Sequence, residues 1–152
     1  MRLGRGRLWE SRAADYLEQH GLAIVARGHR CRLGELDLVC RDGNHLVIVE
    51  VRARGTGSLY SAVESIGPKK RRRIVQATRH FVMLHREWHV APIRFDVVAF
   101  DAVDAPEPRV QWIKNAFDTH YIPLAFANQS ASGFIGESGK PRTFGVRAGV
   151  TF

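Results

Sequence analysis

The chain has 152 residues, a length that predicts one domain with one sizeable core. Its 45% hydrophobic and 25% charged residues argue against a fibrous or wholly disordered protein. No apolar run approaches the roughly 18 to 20 residues of a membrane span, and the N-terminal MRLGRGRLWE lacks the apolar stretch of a signal peptide. We therefore expect a cytoplasmic protein without a membrane partner, in which Cys31 and Cys40 are reduced.

The charge balance favours a polyanionic partner. The chain carries 23 Lys and Arg against 15 Asp and Glu, a net charge of +8, and its pI is about 10.3. Most of these cations are Arg, the residue that binds phosphate oxygens in a bidentate fork. GC-rich coding would also enrich Arg, so composition alone leaves nucleic-acid binding and codon bias both open.

Hydrophobic periodicity predicts two helices and five strands. In chain order they span residues 8–20 (helix), 22–30, 34–41 and 45–54 (strands), 68 to about 87 (helix), and 93–100 and 109–117 (strands), the last of which runs into a turn. Helices flanking a central sheet in the order α-β-β-β-α-β-β predict an α/β domain over residues 1–120. Periodicity is lost from Tyr121, so we expect residues 121–152 to form a poorly ordered C-terminal tail.

A basic run opens the second predicted helix. Pro68 suits the first helical position, and Ile74, Ala77, Phe81 and Leu84 form the predicted apolar stripe. Cations near a helix N-terminus oppose the macrodipole by a few tenths of a kcal/mol each. A run placed there despite that cost indicates either a polyanion partner or an ordinary solvated face. Its members are Lys69, Lys70, Arg71, Arg72 and Arg73.

Acidic residues interrupt two strands that otherwise have core composition. If Asp42 and Gly43 form the hairpin turn, Asp37 faces Ile48 and lies diagonal to Glu50. Alternation then puts four side chains on one face of the sheet: Glu35, Asp37, Glu50 and Arg52. Like charges so close need a cation or a proton, and Mg²⁺ suits paired carboxylates that act on a phosphodiester. The alternative is that Glu35 and Glu50 pair with Arg52, Arg54 and other basic neighbours at the sheet edge.

Several motifs in a fixed order resemble the YraN family. They are GELDLVCRDG, VIVEVRAR, the helix that begins Pro68-Lys69-Lys70, RFDVVAF and VQWIKNAF, and the resemblance covers roughly residues 4–120. That family is predicted to be endonuclease-like, through similarity to archaeal Holliday junction resolvases and the PD-(D/E)xK nuclease superfamily. The resemblance implies a restriction-endonuclease-like, three-layer core with a mixed central sheet. It also allows a homodimer, although composition leaves the oligomeric state open.

The resemblance further implies a site. The superfamily's acids correspond to Glu10 on the first helix, Asp37 on the second strand and Glu50 on the third. Asp37, Glu50 and the carbonyl of Val51 would hold Mg²⁺ or Mn²⁺, and Glu10 would approach the metal from the helix. The superfamily lysine corresponds to Arg52, which can stabilise charge on the phosphate but stays protonated and cannot act as a base.

Three functional hypotheses follow from these residues. The first is a metal-dependent endonuclease that acts on branched or flapped DNA, with Lys69 to Arg73 and Arg54 contacting the nucleic acid. The second is a non-catalytic adaptor for DNA or RNA on the same fold. The third is a protein-interaction scaffold whose acids only form salt bridges at the sheet edge.

Overall fold

The computed structural model describes residues 2–57 and 61–117. In these ranges the elements are α1 (Arg2–Gln19), β1 (Ala23–Cys31), β2 (Gly34–Asp42), β3 (His45–Ala53), α2 (Pro68–Leu84), a 3-10 helix (Arg86–Trp88), β4 (Ile93–Asp101) and β5 (Arg109–Ile113). This order confirms the predicted α-β-β-β-α-β-β arrangement. The tail expected over residues 121–152 lies outside the described residues.

The five strands form one mixed sheet in the order β1-β2-β3-β4-β5. Three neighbouring pairs are antiparallel, whereas β3 and β4 are parallel. Parallel neighbours require a long crossover connection, and α2 lies in it. No helix among the described residues is long and apolar enough to cross a bilayer.

One helix covers each face of the sheet, so the domain has three layers. On one face, α1 contributes Trp9, Ala13, Ala14 and Leu17 to a core with Leu38, Cys40, Val47, Val49, Val98 and Phe100. On the other, α2 contributes Ile74, Ala77, Phe81 and Val82 to a core with Val39, Leu46, Ile48, Phe95, Val97 and Ala99. Successive residues of β3 and β4 therefore serve opposite cores, as strand geometry requires.

The close packing of α2 on β2 depends on a glycine. A Cβ built on Gly34 would lie 2.6 Å from the backbone oxygen of Arg73. A larger residue would therefore push α2 away from the start of β2.

The thiols of Cys31 and Cys40 are both free, as expected.

Both helices differ from their predicted limits. α1 begins at Arg2 rather than residue 8. The sequence did not predict these first turns because Gly4 and Gly6 weaken the helical pattern ahead of Trp9. α2 ends at Leu84 rather than near residue 87, and Leu84 is exposed instead of completing the apolar stripe. The buried stripe follows the i, i+3, i+4 pattern at Ile74, Ala77, Thr78, Phe81 and Val82, whose next position would be 85.

The last predicted strand, over residues 109–117, was expected to run into a turn, and it does. β5 ends at Ile113 and the chain then turns through residue 117. Asn115 adopts a left-handed backbone with φ of 55°, which a strand cannot accommodate.

The predicted register of the β2–β3 hairpin was wrong by two residues. Asp42 is a strand residue paired with His45, so Gly43 and Asn44 form the turn. Gly43 has a φ of +60°, a conformation that glycine adopts at little cost. Val39 therefore pairs with Ile48. Continuing this register puts Asp37 directly opposite Glu50 rather than diagonal to it.

Candidate active site

The site begins where β2 and β3 stop pairing. Their ladder runs from Asp42↔His45 to Leu38↔Val49 and ends there. Beyond it, the Val51 backbone N–H donates a 2.8 Å hydrogen bond to Asp37 Oδ2. The carboxylate thus satisfies an amide that the neighbouring strand leaves unpaired, and the same bond fixes the position of Asp37.

The alternation of β2 side chains is also interrupted at this point. Leu36 packs in the core beneath α2, whereas Leu38 packs in the core beneath α1. Strict alternation would put both on one face. The prediction that Glu35, Asp37, Glu50 and Arg52 all project from one face of the sheet assumed unbroken alternation along β2. That assumption is wrong, because the alternation breaks between Leu36 and Leu38. Glu35 instead forms an exposed ion pair with Arg30, 2.9 Å long.

Glu50 is a buried carboxylate with two cationic neighbours. Its side chain is 5% exposed. Arg52 Nη2 lies 3.5 Å from Glu50 Oε1, and Lys70 Nζ from α2 lies 3.3 Å from the same oxygen. The Glu50–Arg52 pairing expected for a simple sheet edge is therefore present, but its carboxylate is buried and lies beside the half-buried Asp37.

Burial dominates the proton affinities of the acid pair, by which we mean Asp37 and Glu50. Burial first, and then the Asp37 charge, raise the pKa of Glu50 to about 7 against the opposing effects of Lys70 and Arg52. Burial also raises the pKa of Asp37, although the Val51 hydrogen bond and the Lys70 charge lower it. The metal-free pair therefore retains a proton more readily than two exposed acids would.

An open cleft of about 560 Å³ brings together all four predicted catalytic residues. Its walls come from α1, the β2–β3 divergence and the loops after β3 and β4. The lining residues are Arg5, Gly6, Trp9, Glu10, Asp37, Glu50, Val51, Arg52, Ala53, Gly55, Val103 and Asp104. Arg5 was missed by sequence reasoning, because it precedes the predicted start of the helix.

Glu10 belongs to the cleft but not to a tight ligand cluster. Burial, followed by the charges of Asp37 and Glu35, raises the pKa of Glu10. Within residues 2–57 and 61–117, no three His, Cys, Asp or Glu side chains are grouped closely enough to hold a metal ion. The site is thus an acid pair with a third acid nearby, rather than a three-carboxylate centre.

The donor chemistry of this pair fits Mg²⁺ or Mn²⁺. Both ions prefer hard oxygen ligands, and Mg²⁺ commonly takes only one or two carboxylates while it keeps other positions for water or phosphate. Glu50 is buried, Asp37 is half-buried, and both carboxylates line the open cleft, so their oxygens are available to a hard cation there.

The loop after β3 is tied to the loop after β4. Asp104 Oδ1 accepts hydrogen bonds from the Thr56 N–H at 2.8 Å and the Thr56 hydroxyl at 2.6 Å. Arg54 Nη2 forms a 2.6 Å ion pair with Asp101, and the Arg54 side chain is largely buried. Arg54, predicted to contact nucleic acid, therefore joins the end of β3 to the end of β4 through Asp101.

The basic run at the start of α2 divides into three environments. Lys69, Arg72 and Arg73 are exposed. Arg71 donates to the Ile66 carbonyl at 3.1 Å and stacks its guanidinium over the Phe117 ring. Lys70 alone among the five has an ion pair with Glu50. The run is therefore not a uniform basic face.

Sequence reasoning also missed a buried aspartate on β4. Asp96 is 1% exposed and accepts hydrogen bonds from Arg94, from Trp112 Nε1 at 3.0 Å and from the Asn115 N–H at 2.9 Å. Arg94 also binds Asp42 at 3.0 Å. This network joins β2, β4 and the turn after β5. An acid within the apolar strand IRFDVVAF was the available signal.

Comparison with known proteins gives a consistent family. Residues 9–100 match the profile described as uncharacterised protein family UPF0102. A UPF0102 protein of Legionella pneumophila strain Philadelphia 1 is 40% identical over 114 residues, covering 75% of this chain and 94% of that protein. A UPF0102 protein of Pseudomonas fluorescens is 43% identical over 114 residues, covering 75% and 93%. The chain belongs to the uncharacterised family UPF0102.

Proposed function

We propose that this protein is a nucleic-acid-binding protein of the PD-(D/E)xK nuclease type, with a restriction-endonuclease-like fold and metal-dependent endonuclease activity on branched or flapped DNA. The observation that carries the proposal is the acid pair in an open cleft. Asp37 and Glu50 lie where β2 and β3 diverge, and Arg52 lies beside Glu50. The element order and the strand positions of these acids match what the resemblance to the YraN family implies.

Each side chain has a chemical role in this proposal. Asp37 and Glu50, with the Val51 carbonyl, would hold Mg²⁺ or Mn²⁺, and the bound metal supplies Lewis-acid activation of the scissile phosphate. Glu10 would orient water at the α1 side of the cleft. Arg52 keeps its charge at any working pH, so its guanidinium would bind the phosphate oxygen on which negative charge develops.

Exposed cations at the cleft and on α2 support recognition of the phosphate backbone. Arg5 lines the cleft, and the exposed Lys69, Arg72 and Arg73 lie on α2 in the same run as Lys70. Interactions of this kind position a nucleic acid without reading its bases. The proposed substrate is therefore recognised by shape, as branched or flapped DNA would be.

A panel of DNA structures tests this function. Purified protein is incubated with linear, flapped and four-way DNA under Mg²⁺ and under Mn²⁺, with Asp37→Asn as the control. Cleavage of a branched or flapped substrate by the wild type but not by Asp37→Asn is the expected result. No cleavage of any substrate by the wild type would contradict the enzymatic proposal.

One observation favours a second candidate, a non-catalytic DNA or RNA adaptor on the same fold. Arg52 replaces the superfamily lysine, and Arg52 and Lys70 both contact Glu50 Oε1. Cations placed this way partly offset the charge of Glu50 without any metal. Nucleic-acid affinity in EDTA that is equal to the affinity in Mg²⁺, together with no cleavage, would select the adaptor. A protein with no nucleic-acid affinity at low salt would be neither.

A further inference from the structure

Lys70 differs from the other cations of its run in what it contacts. Its ammonium lies 3.3 Å from Glu50 Oε1 and its side chain is 38% exposed. Lys69 is one residue away and exposed. Two adjacent lysines thus have different environments, and the pair provides a matched comparison within one helical turn.

The position of Lys70 is unfavourable for the helix itself. A cation in the first turn of α2 opposes the helix macrodipole, and that turn has no acidic residue to offset it. The compensating charge comes from β3, through Glu50. The attraction to the acid pair therefore offsets the unfavourable interaction of Lys70 with the helix terminus.

Arg52 cannot replace Lys70 in this position. It lies two residues beyond Glu50 on the same strand and lines the cleft, and its Nε is buried without a hydrogen-bond partner among the described residues. Lys70 reaches Glu50 from a separate element on a flexible, partly exposed stem. Of the two cations, Lys70 is the one that can withdraw without disturbing the sheet.

We propose that Lys70 is the built-in counter-ion of the acid pair. In the metal-free protein its ammonium neutralises Glu50, so that a phosphate backbone can approach the cleft without meeting an uncompensated pair of carboxylates. A divalent cation competes with Lys70 for Glu50. The proposal rests on the proposed function for its metal and its nucleic acid, and it makes Lys70 a positioning residue rather than a residue that binds phosphate.

Titration of the protein with Mg²⁺, without nucleic acid, tests the competition. At alkaline pH, where Glu50 is ionised in both proteins, Lys70→Met should bind Mg²⁺ about 3- to 10-fold more tightly than the wild type, because a competing charge is removed from a partly screened site. Lys69→Met should bind Mg²⁺ as the wild type does, and Lys70→Arg should restore wild-type affinity. Unchanged or weaker Mg²⁺ binding by Lys70→Met would overturn the proposal, as would no binding by either protein at millimolar Mg²⁺.

DNA affinity in EDTA gives a second readout. At the same alkaline pH, Lys70→Met should weaken duplex binding severalfold without changing its salt dependence, and adding Glu50→Gln should restore the affinity by removing the uncompensated charge. Lys69→Met should instead flatten the log–log salt slope by about 0.9, and Glu50→Gln should not restore it. Identical behaviour of the two lysine variants would make Lys70 an ordinary phosphate-binding residue and overturn the proposal.

The two experiments separate this proposal from the proposed function. If the wild type binds no DNA but Lys70→Met binds Mg²⁺ more tightly, the nucleic-acid function fails and the counter-ion role stands. If the wild type cleaves DNA but both lysine variants behave alike, the function stands and the counter-ion role fails. Circular dichroism and urea unfolding of each variant ensure that the comparison is made between folded proteins.

Discussion

Asp37 and Val51 are joined by a hydrogen bond at the point where two strands separate. The Val51 N–H donates to Asp37 Oδ2 at 2.8 Å, just beyond the last backbone pair of β2 and β3. The bond takes the place of the backbone pairing that ends there and holds Asp37 beside Glu50. A sheet irregularity, and not a regular sheet face, therefore builds the acid pair.

Glu50→Gln should change the pH dependence of stability. The pKa of Glu50 is raised to about 7 in the folded protein from 4.5, so between these values the native state binds more protons than the unfolded state. Stability contributed by this group is therefore lost as pH rises from about 4.5 to about 7, by up to roughly 3 kcal/mol. In urea unfolding, the free energy of unfolding of Glu50→Gln relative to that of the wild type should be higher at pH 8 than at pH 5.

An exposed carboxylate serves as the control for that measurement. Glu18→Gln removes a carboxylate two turns beyond Glu10 on α1, where the side chain is exposed. A stability difference between Glu50→Gln and wild type that stays constant from pH 5 to pH 8 would show that burial does not govern the Glu50 proton.

Asp96→Asn should strongly destabilise the fold. The substitution removes a buried charge that accepts hydrogen bonds from Arg94, Trp112 and the Asn115 amide, and it leaves Arg94 partly unpaired. We expect a decrease of about 3 kcal/mol in the free energy of unfolding, measured by urea denaturation. Asp15→Asn, at an exposed position on α1, should change it by less than about 0.5 kcal/mol. Equal effects of the two substitutions would refute the structural role of Asp96.

The exposed members of the basic run should carry the salt dependence of DNA binding. Replacing Lys69, Arg72 and Arg73 with Ala should weaken binding to all sequences and flatten the log–log salt slope by about 0.9 for each duplex phosphate that the variant no longer neutralises. Arg71→Ala should leave that slope unchanged and lower stability, because Arg71 packs on Phe117. A slope that the triple substitution does not alter would show that these residues form an ordinary solvated surface.

Local patterns predicted the order of the helices and strands and the two residues of the acid pair, because both depend on period and residue type. Asp37 and Glu50 interrupt apolar strands, and this contrast is visible in the sequence. The hairpin register was not predictable in the same way, because Asp42-Gly43 and Gly43-Asn44 are both acceptable turns. The structure places Asp42 in the strand, where it binds Arg94, a residue 52 positions away.

The division of the basic run also depends on distant partners. Lys70 and Arg71 are neighbours of the same charge, yet one contacts Glu50 on β3 and the other stacks on Phe117. Their positions on the helix predict neither partner. A helical position fixes the direction of a side chain but not which residue of another element lies in that direction. Leu84 was predicted to belong to the apolar stripe but is exposed, because a shift of one position on the helix separates a buried side chain from an exposed one.

Single-turnover cleavage by three proteins tests the central claim most directly. Wild type, Asp37→Asn and Arg52→Lys are each assayed with flapped and four-way DNA under Mn²⁺, and DNA affinity in EDTA is measured on the same samples. We expect the wild type to cleave, Asp37→Asn to bind DNA without cleaving it, and Arg52→Lys to cleave at least as fast as the wild type, because lysine also supplies the positive charge. No cleavage by either the wild type or Arg52→Lys would contradict the nuclease assignment.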